Sequence, residues 1–273
     1  MLKNKQKLML GLPYYFWAIA FIIIPLCLVI YYGLTDKTGA FTFNNIASIA
    51  DPQHTKALWI AVKLSIISTI ICLFLAYPLA MILVNFKKGK SSILVMLFIL
   101  PMWMNFLLRT MAWQTLLENT GVINTLLQTI GLPKINIINT PGAIIFGMVY
   151  NFLPFMVLPI YNSLAKIDIN VVNAARDLGA NGIITFGRIT LPLSLPGVIS
   201  GITMVFVPAL TTFVISAILG GNKILLIGNV IEQEFSQTSN WHLGSGLSMV
   251  LMVFIIISMI FTAIFDKDGE GLI

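Results

Sequence analysis

Charge is what this sequence has least of. Only 10% of its 273 residues are Asp, Glu, Lys or Arg, against roughly 25% in an ordinary soluble domain. Hydrophobic residues make up 58%, and the mean hydropathy is +0.94. A 30.1 kDa globule cannot cover itself for water with so few charges, which excludes a cytosolic enzyme. Disorder, collagen and coiled coil are excluded on the same composition. Cysteine is nearly absent: Cys27 and Cys72 lie in apolar runs, with no disulfide framework and no metal spacing around them. His54 and His242 stand far apart in loop-like sequence, so no metal ligand set is expected. What remains is an integral membrane protein.

A hydrocarbon core of about 30 Å takes about 20 apolar residues per helix. Six continuous runs meet that length: 14–32, 58–84, 93–113, 143–164, 197–219 and 243–265. Continuous runs exclude the alternating short strands of a barrel. The expected fold class is therefore all-α, polytopic, with six transmembrane helices. The first run follows Lys3, Lys5 and Lys7 as a signal peptide would. It is too long for a signal core and no small-x-small site follows, so the first helix is expected to stay. Positive charge sets the orientation. With the N-terminus inside, the inner segments hold Lys3, Lys5, Lys7, Lys87, Lys88, Lys90, Lys166, Arg176, Arg188 and Lys267. The outer loops hold Lys37, Lys56, Lys134 and Lys223. Both termini are expected in the cytoplasm. The net charge of +6 then reflects orientation and lipid contact, not nucleic acid. Lys63 and Arg109 fall inside runs near their outer ends, where both can snorkel outward.

Six of the twelve prolines interrupt the runs: Pro25, Pro78, Pro101, Pro154, Pro159 and Pro208. Each removes a helix hydrogen bond, and in lipid the freed carbonyl needs a partner within the protein. Such kinks line pathways in transport proteins, although proline is also simply common in membrane helices. Gly197 and Gly201 have the small-xxx-small spacing that lets two helices approach, within the chain or across a dimer. No run carries an acid near its middle, which disfavours a proton-coupled carrier. A membrane-embedded enzyme would need paired acids, a histidine cluster or a Ser/Lys pair in the runs. None is present, and no phosphate-loop motif occurs.

The loops carry more pattern. Residues 122–130 alternate with a helical period, and Gly131-Leu132-Pro133 ends it; this helix is expected flat at the outer interface or buried as a short element. Glu232 and Glu234 are either solvated or an outer contact for a cation. The inner loop is the most specific. Asp168 can cap a helix whose Val171, Ala174, Ala175 and Leu178 share a side, and Gly179 suits a left-handed stop. A second amphipathic piece, 183–189, is expected to end at Pro192. Together they form a compact helix–turn–helix able to dock in a groove of another protein.

These residues match a family pattern. Asn173-Ala174-Ala175, three residues, Gly179, nine residues, then Ile189-x-Leu191-Pro192 resembles the E-A-A-x3-G-x9-I-x-L-P loop of bacterial ABC importer permeases, with Asn173 in place of the family's Glu. The stretches 101–109, 149–159 and 225–231 are similar to those of the spermidine/putrescine permeases of that class. The resemblance implies the type I importer fold with three parts: residues 1–57 as a first helix and extracellular loop, 58–265 as the transmembrane core with a coupling loop at 165–196, and 266–273 as a cytoplasmic tail. It further implies a bacterial plasma membrane location, a second homologous permease, two copies of a cytoplasmic ATPase and an extracytoplasmic polyamine-binding protein. ATP would be used by the ATPase, with no cofactor or metal held by this chain and no catalytic residue.

The coupling residues would be Asp168, Asn173, Ala174, Ala175, Arg176, Asp177, Gly179, Ile189 and Pro192. A polycation with methylene spacers suits aromatic faces and polar side chains. Trp103, Asn105, Tyr150 and Asn151 are the expected pathway residues, with Glu232 and Glu234 at the outer mouth. Arg109 would repel a cation, so it is expected to face a partner helix, the headgroups or an acid such as Glu118. The substrate rests on the resemblance alone; a permease for another small solute, or a membrane scaffold, fits the composition equally.

Overall fold

A computed structural model describes residues 12–86, 88–221 and 223–270. Lys3, Lys5, Lys7, Lys87 and Asn222 lie outside the described residues. Among those described, the regular structure is all helical, apart from one isolated bridge between Thr35 and Phe41. Five helices are long and apolar enough to span a membrane: Leu12–Gly33, Pro52–Asn85, Pro141–Ala165, Gly182–Thr211 and Trp241–Ile260. A sixth is a broken pair, Ile93–Trp103 and Phe106–Thr129, bent by 86°.

That break corrects the expectation of one continuous third span. The helix from Lys88 ends at Ile99, tightens into a turn at Leu100–Trp103 and stops at an extended Met104. Pro101 cannot donate, and Asn105 restarts the helix by accepting from the N–H groups of Leu107 at 2.9 Å and Leu108 at 3.2 Å. An apolar run hides this change of direction, because hydropathy reports length and not backbone geometry.

The fifth span is displaced from its expected bounds. It runs over Gly182–Thr211, and Val214–Leu219 is a separate short helix. The piece expected to end at Pro192 is instead the start of this span. The chain passes through a π turn at Phe186–Thr190, and Pro192 then opens the α-helical stretch Leu191–Thr211. A π turn shifts the hydrogen-bond register, so the missing proline N–H falls where no helical bond is lost. Pro25 follows the π turn Ile19–Ile23 in the same way.

The described residues fall into two units. One holds the chain up to Lys56 together with Val230–Phe254. In it the carbonyls at the end of the first span are capped by side chains. Asn45 donates to Gly33 O at 3.2 Å and Thr35 O at 2.8 Å, and His242 Nδ1 lies 2.6 Å from Thr35 O. The partner is a carbonyl, so Nδ1 carries the hydrogen. His54 and His242 therefore belong to the first turns of long helices rather than to loops. In the following loop the Thr38 hydroxyl and amide donate to Asp36, which holds that carboxyl below the usual carboxylate range.

The other unit, Ala57–Asn229 with the chain from Ile255, is built around the fourth and fifth spans. Gly197 lies against the Pro159 carbonyl and the Ser163 side chain, and Gly201 against Met156. The small-xxx-small pair thus joins two helices of the same chain. Tyr77 of the second span shares a 2.7 Å hydrogen bond with Ser194, and its ring meets Phe186 edge-on at 5.6 Å. After the fifth span, the break at Thr212–Phe213 is held by buried Asn229. It donates to Phe213 O at 2.9 Å and accepts from Ser216 Oγ and, at 3.1 Å, from Leu226 N. Asn229→Leu removes all three hydrogen bonds at once; Phe213 O and Ser216 Oγ still have each other, but the buried Leu226 N–H is stranded at a cost of about 1–3 kcal/mol. The expected result is a thermal unfolding midpoint in detergent well below wild type; an unchanged midpoint would contradict this role.

Candidate functional site

The loop between the fourth and fifth spans is set by backbone chemistry. Asp168 is the N-cap of the helix Ile169–Asp177 and accepts from Asn170 N at 2.9 Å. The helix ends in a complete Schellman motif: Gly179 N bonds Arg176 O at 2.9 Å and Ala180 N bonds Ala175 O at 3.0 Å. Gly179 has φ +85°, the left-handed conformation that side-chain-bearing residues resist. Asn181 then caps the next helix through Ile184 N at 2.9 Å. Two caps and a glycine thus define a rigid corner from Asp168 to Ile184.

This corner shows its apolar residues to solvent. Leu178 is 90% exposed and Ile183 83% exposed, with Ile169 and Val171 also exposed. Asn173, Ala174, Arg176, Asp177, Gly179 and Pro192 are exposed, whereas Ala175 and Ile189 are half-buried. Ala175 therefore leaves the outer side on which Val171, Ala174 and Leu178 stand. Beneath the helix a cleft of about 230 Å³ is lined by Ile169, Val172, Arg176, Thr185 and Phe186 with Met81, Val84 and Asn85 at the end of the second span. The helix rests on this cleft and keeps its opposite side uncovered.

The expected pathway residues do not converge on one cavity. Trp103 is 78% exposed beside the break of the third span. The Asn105 oxygen is used as a helix cap. Tyr150 is half-buried in an aromatic cluster, 5.0 Å from Trp113 and 6.4 Å from Phe146. Asn151 is buried; its amide donates to Gly147 O at 2.8 Å while its carbonyl oxygen has no partner. Glu232 and Glu234 lie on Ile227–Ser236, two residues apart, a spacing that puts their side chains on different faces. Each accepts from a local hydroxyl at 2.7 Å, Ser236 and Thr238 respectively.

Arg109 departs from the snorkelling expected of it. It is 8% exposed, donates from Nη1 to Pro101 O at 2.9 Å, and lies 5.6 Å from the centre of the Tyr150 ring. The Pro101 carbonyl accepts from Met104 N at 3.3 Å within the turn, and the guanidinium turns inward to give it a second hydrogen bond. A cavity of about 400 Å³ adjoins it, walled by Leu79, Leu83, Leu97, Phe98 and Leu153. Arg109, Trp113 and Phe146 were not legible as neighbours of Tyr150, since the bend that brings them together leaves no hydropathy signal. The short helix Val122–Thr129 shows a related difference. Val122, Leu126 and Ile130 face outward as an interfacial stripe would, but Asn124, on the polar side by pattern, is buried as a clamp between Glu118 O and Ile135.

Comparison with solved structures places this arrangement of spans in a known class. A bacterial ABC transporter involved in the import of the acidic polysaccharide alginate contains a chain of the same fold, with TM-score 0.82 at 17% sequence identity, covering 97% of this chain and 96% of that one. The fold is that of an ABC importer permease. Sequence comparison narrows the class. The spermidine/putrescine transport system permease protein PotB of Haemophilus influenzae is 38% identical over 245 residues, 87% of this chain and 86% of the relative. PotB of Escherichia coli K12 is 36% identical over 245 residues, 87% and 89% of the two chains. No protein-family model matches. The chain belongs to the PotB family of ABC transporter permeases, and it is a multi-span membrane protein.

Proposed function

We propose that this chain carries polyamines across a bacterial inner membrane as one permease subunit of an ABC importer. ATP is hydrolysed on separate cytoplasmic subunits, and the chain itself performs no catalysis and holds no cofactor. A second, homologous permease completes the passage, and an extracytoplasmic binding protein delivers spermidine or putrescine. Both termini face the cytoplasm, which puts the corner at Asp168–Ile184 on the side of the ATPase. The single observation that supports coupling is the exposure of Leu178 and Ile183 on that corner. Two apolar side chains held out by two caps and a left-handed glycine suit insertion into a groove of another protein. Movement of that groove on ATP binding reaches the spans directly, because Ile183 lies on the same helix as Gly197, which packs on the fourth span.

The fold is shared with an importer of an acidic polysaccharide, so the substrate reading rests on the PotB relatives. Among the proposed pathway residues, Trp103 offers the most accessible aromatic face to a passing ammonium group. Uptake of labelled spermidine, competed by putrescine but not by amino acids or anions, is the test. In the same assay Trp103→Ala is expected to lower flux several-fold at normal membrane level, since a cation–π contact at an exposed ring is worth about 0.5–1 kcal/mol. Competition by an anion instead would reassign the substrate, and unchanged flux would return Trp103 to lipid contact.

A further inference from the structure

Arg109 has no charge partner in what is described around it. Its neighbours are a carbonyl and a ring, and its Nε is buried without a hydrogen-bond partner. A guanidinium left so in a low-dielectric site carries a large desolvation penalty unless an anion approaches it. The cavity beside it is otherwise apolar. Its wall includes Leu97 of the third span, which is exposed.

Depth narrows the identity of the anion. Lys87, Lys88 and Lys90 mark one boundary of the hydrocarbon. Pro101, which Arg109 contacts, is eleven residues beyond Lys90. At 1.5 Å per residue that is about 16 Å, roughly half of a 30 Å core. A phospholipid phosphate does not reach this depth. A hydrated small anion is disfavoured by the apolar walls. The substrate proposed above is itself a cation. A carboxylate carried on a neighbouring membrane helix meets both conditions, because its backbone needs no water and its two oxygens match the guanidinium fork.

We infer that the Arg109 cavity receives an aspartate or glutamate from a transmembrane helix of the second permease, forming a buried interchain ion pair at the break of the third span. This rests on the reading that a second permease pairs with this chain. The pair would act mainly in registration: one charge in an apolar interface fixes which helices meet and at what height, since any other alignment leaves both ions unpaired.

The test uses the complete transporter expressed in its bacterial membrane, with a tag on this chain. Arg109→Met keeps much of the side-chain volume and loses the charge; Arg109→Glu reverses it. Both are expected to reach normal membrane levels, and Arg109→Glu is expected to recover about tenfold less second permease or worse, since breaking one side of a buried pair is strongly destabilising. One charge reversal among the acids in the second permease's spans, introduced singly to Arg, should restore recovery with Arg109→Glu and not with wild type. Wild-type recovery by Arg109→Met, or failure of every reversal to rescue Arg109→Glu, would overturn the ion pair. If wild type itself recovers no second permease, the pairing reading fails first and the ion pair with it.

Discussion

Gly197→Ala is expected to reduce the folded protein recovered from the membrane sharply, and Gly197→Val to abolish it. A Cβ at Gly197 would stand 2.5 Å from the Pro159 carbonyl oxygen and 2.5 Å from the Ser163 Cβ. One of these neighbours is backbone and cannot rotate away, so the fourth and fifth spans must separate. Overpacking of this kind costs about 1–3 kcal/mol for a single methyl group, and valine adds two more carbons. In lipid little compensates, because tails solvate the separated helices as readily as the helices solvate each other. Gly201→Ala is expected to be milder: its nearest neighbour is the Met156 sulfur at 2.7 Å, part of a flexible side chain. Size-exclusion profiles of the detergent-solubilised variants would show the order wild type, Gly201→Ala, Gly197→Ala, Gly197→Val. Equal profiles for Gly197→Ala and wild type would contradict the packing described.

The second large effect is on coupling rather than folding. No heavy atom beyond its chain neighbours lies within 4 Å of a Cβ built at Gly179, so Gly179→Val meets no clash. The cost is conformational. Left-handed backbone is disfavoured for side-chain-bearing residues by about 1–2 kcal/mol, more for a β-branched one. That lowers the equilibrium constant for the native corner roughly tenfold. Leu178 and Ile183 would then be misaligned while the spans stay intact. The expected outcome is normal assembly and ATP hydrolysis with uptake reduced roughly tenfold. Gly179→Asn is expected to retain most uptake, because asparagine tolerates this conformation. Normal coupled uptake by Gly179→Val would remove the corner from the mechanism.

The parts legible in the sequence were those written in local chemistry. Asp168 as a cap and Gly179 as a left-handed stop follow from residue type and spacing, and the structure has both. The runs 14–32, 58–84, 143–164 and 243–265 correspond to continuous helical chain for the same reason: hydrocarbon length and hydropathy are local sums. What was missed depends on distance. Pro101 signalled a kink, but an 86° bend also required Asn105 as a new cap four residues later. Pro192 read as a terminator because the π turn before it leaves no residue signature. The break after Thr211 is held by Asn229, whose partners Ser216 and Phe213 lie 13 and 16 residues away. Arg109 looked able to snorkel until the bend placed the Pro101 carbonyl within its reach. Glu232 and Glu234, read together as an outer pair, are separated by helix geometry alone.

The scarcity of charge also bears on energy. No acid stands in the middle of any apolar run and no phosphate-loop motif occurs in the sequence, and the proposed function accordingly draws its energy from a separate ATPase. The most direct measurement is therefore spermidine accumulation in proteoliposomes holding the complete importer, with loaded binding protein on the outer side. The account predicts accumulation that requires ATP on the cytoplasmic side and persists when the proton gradient is collapsed. Accumulation without ATP, driven by the gradient, would contradict it.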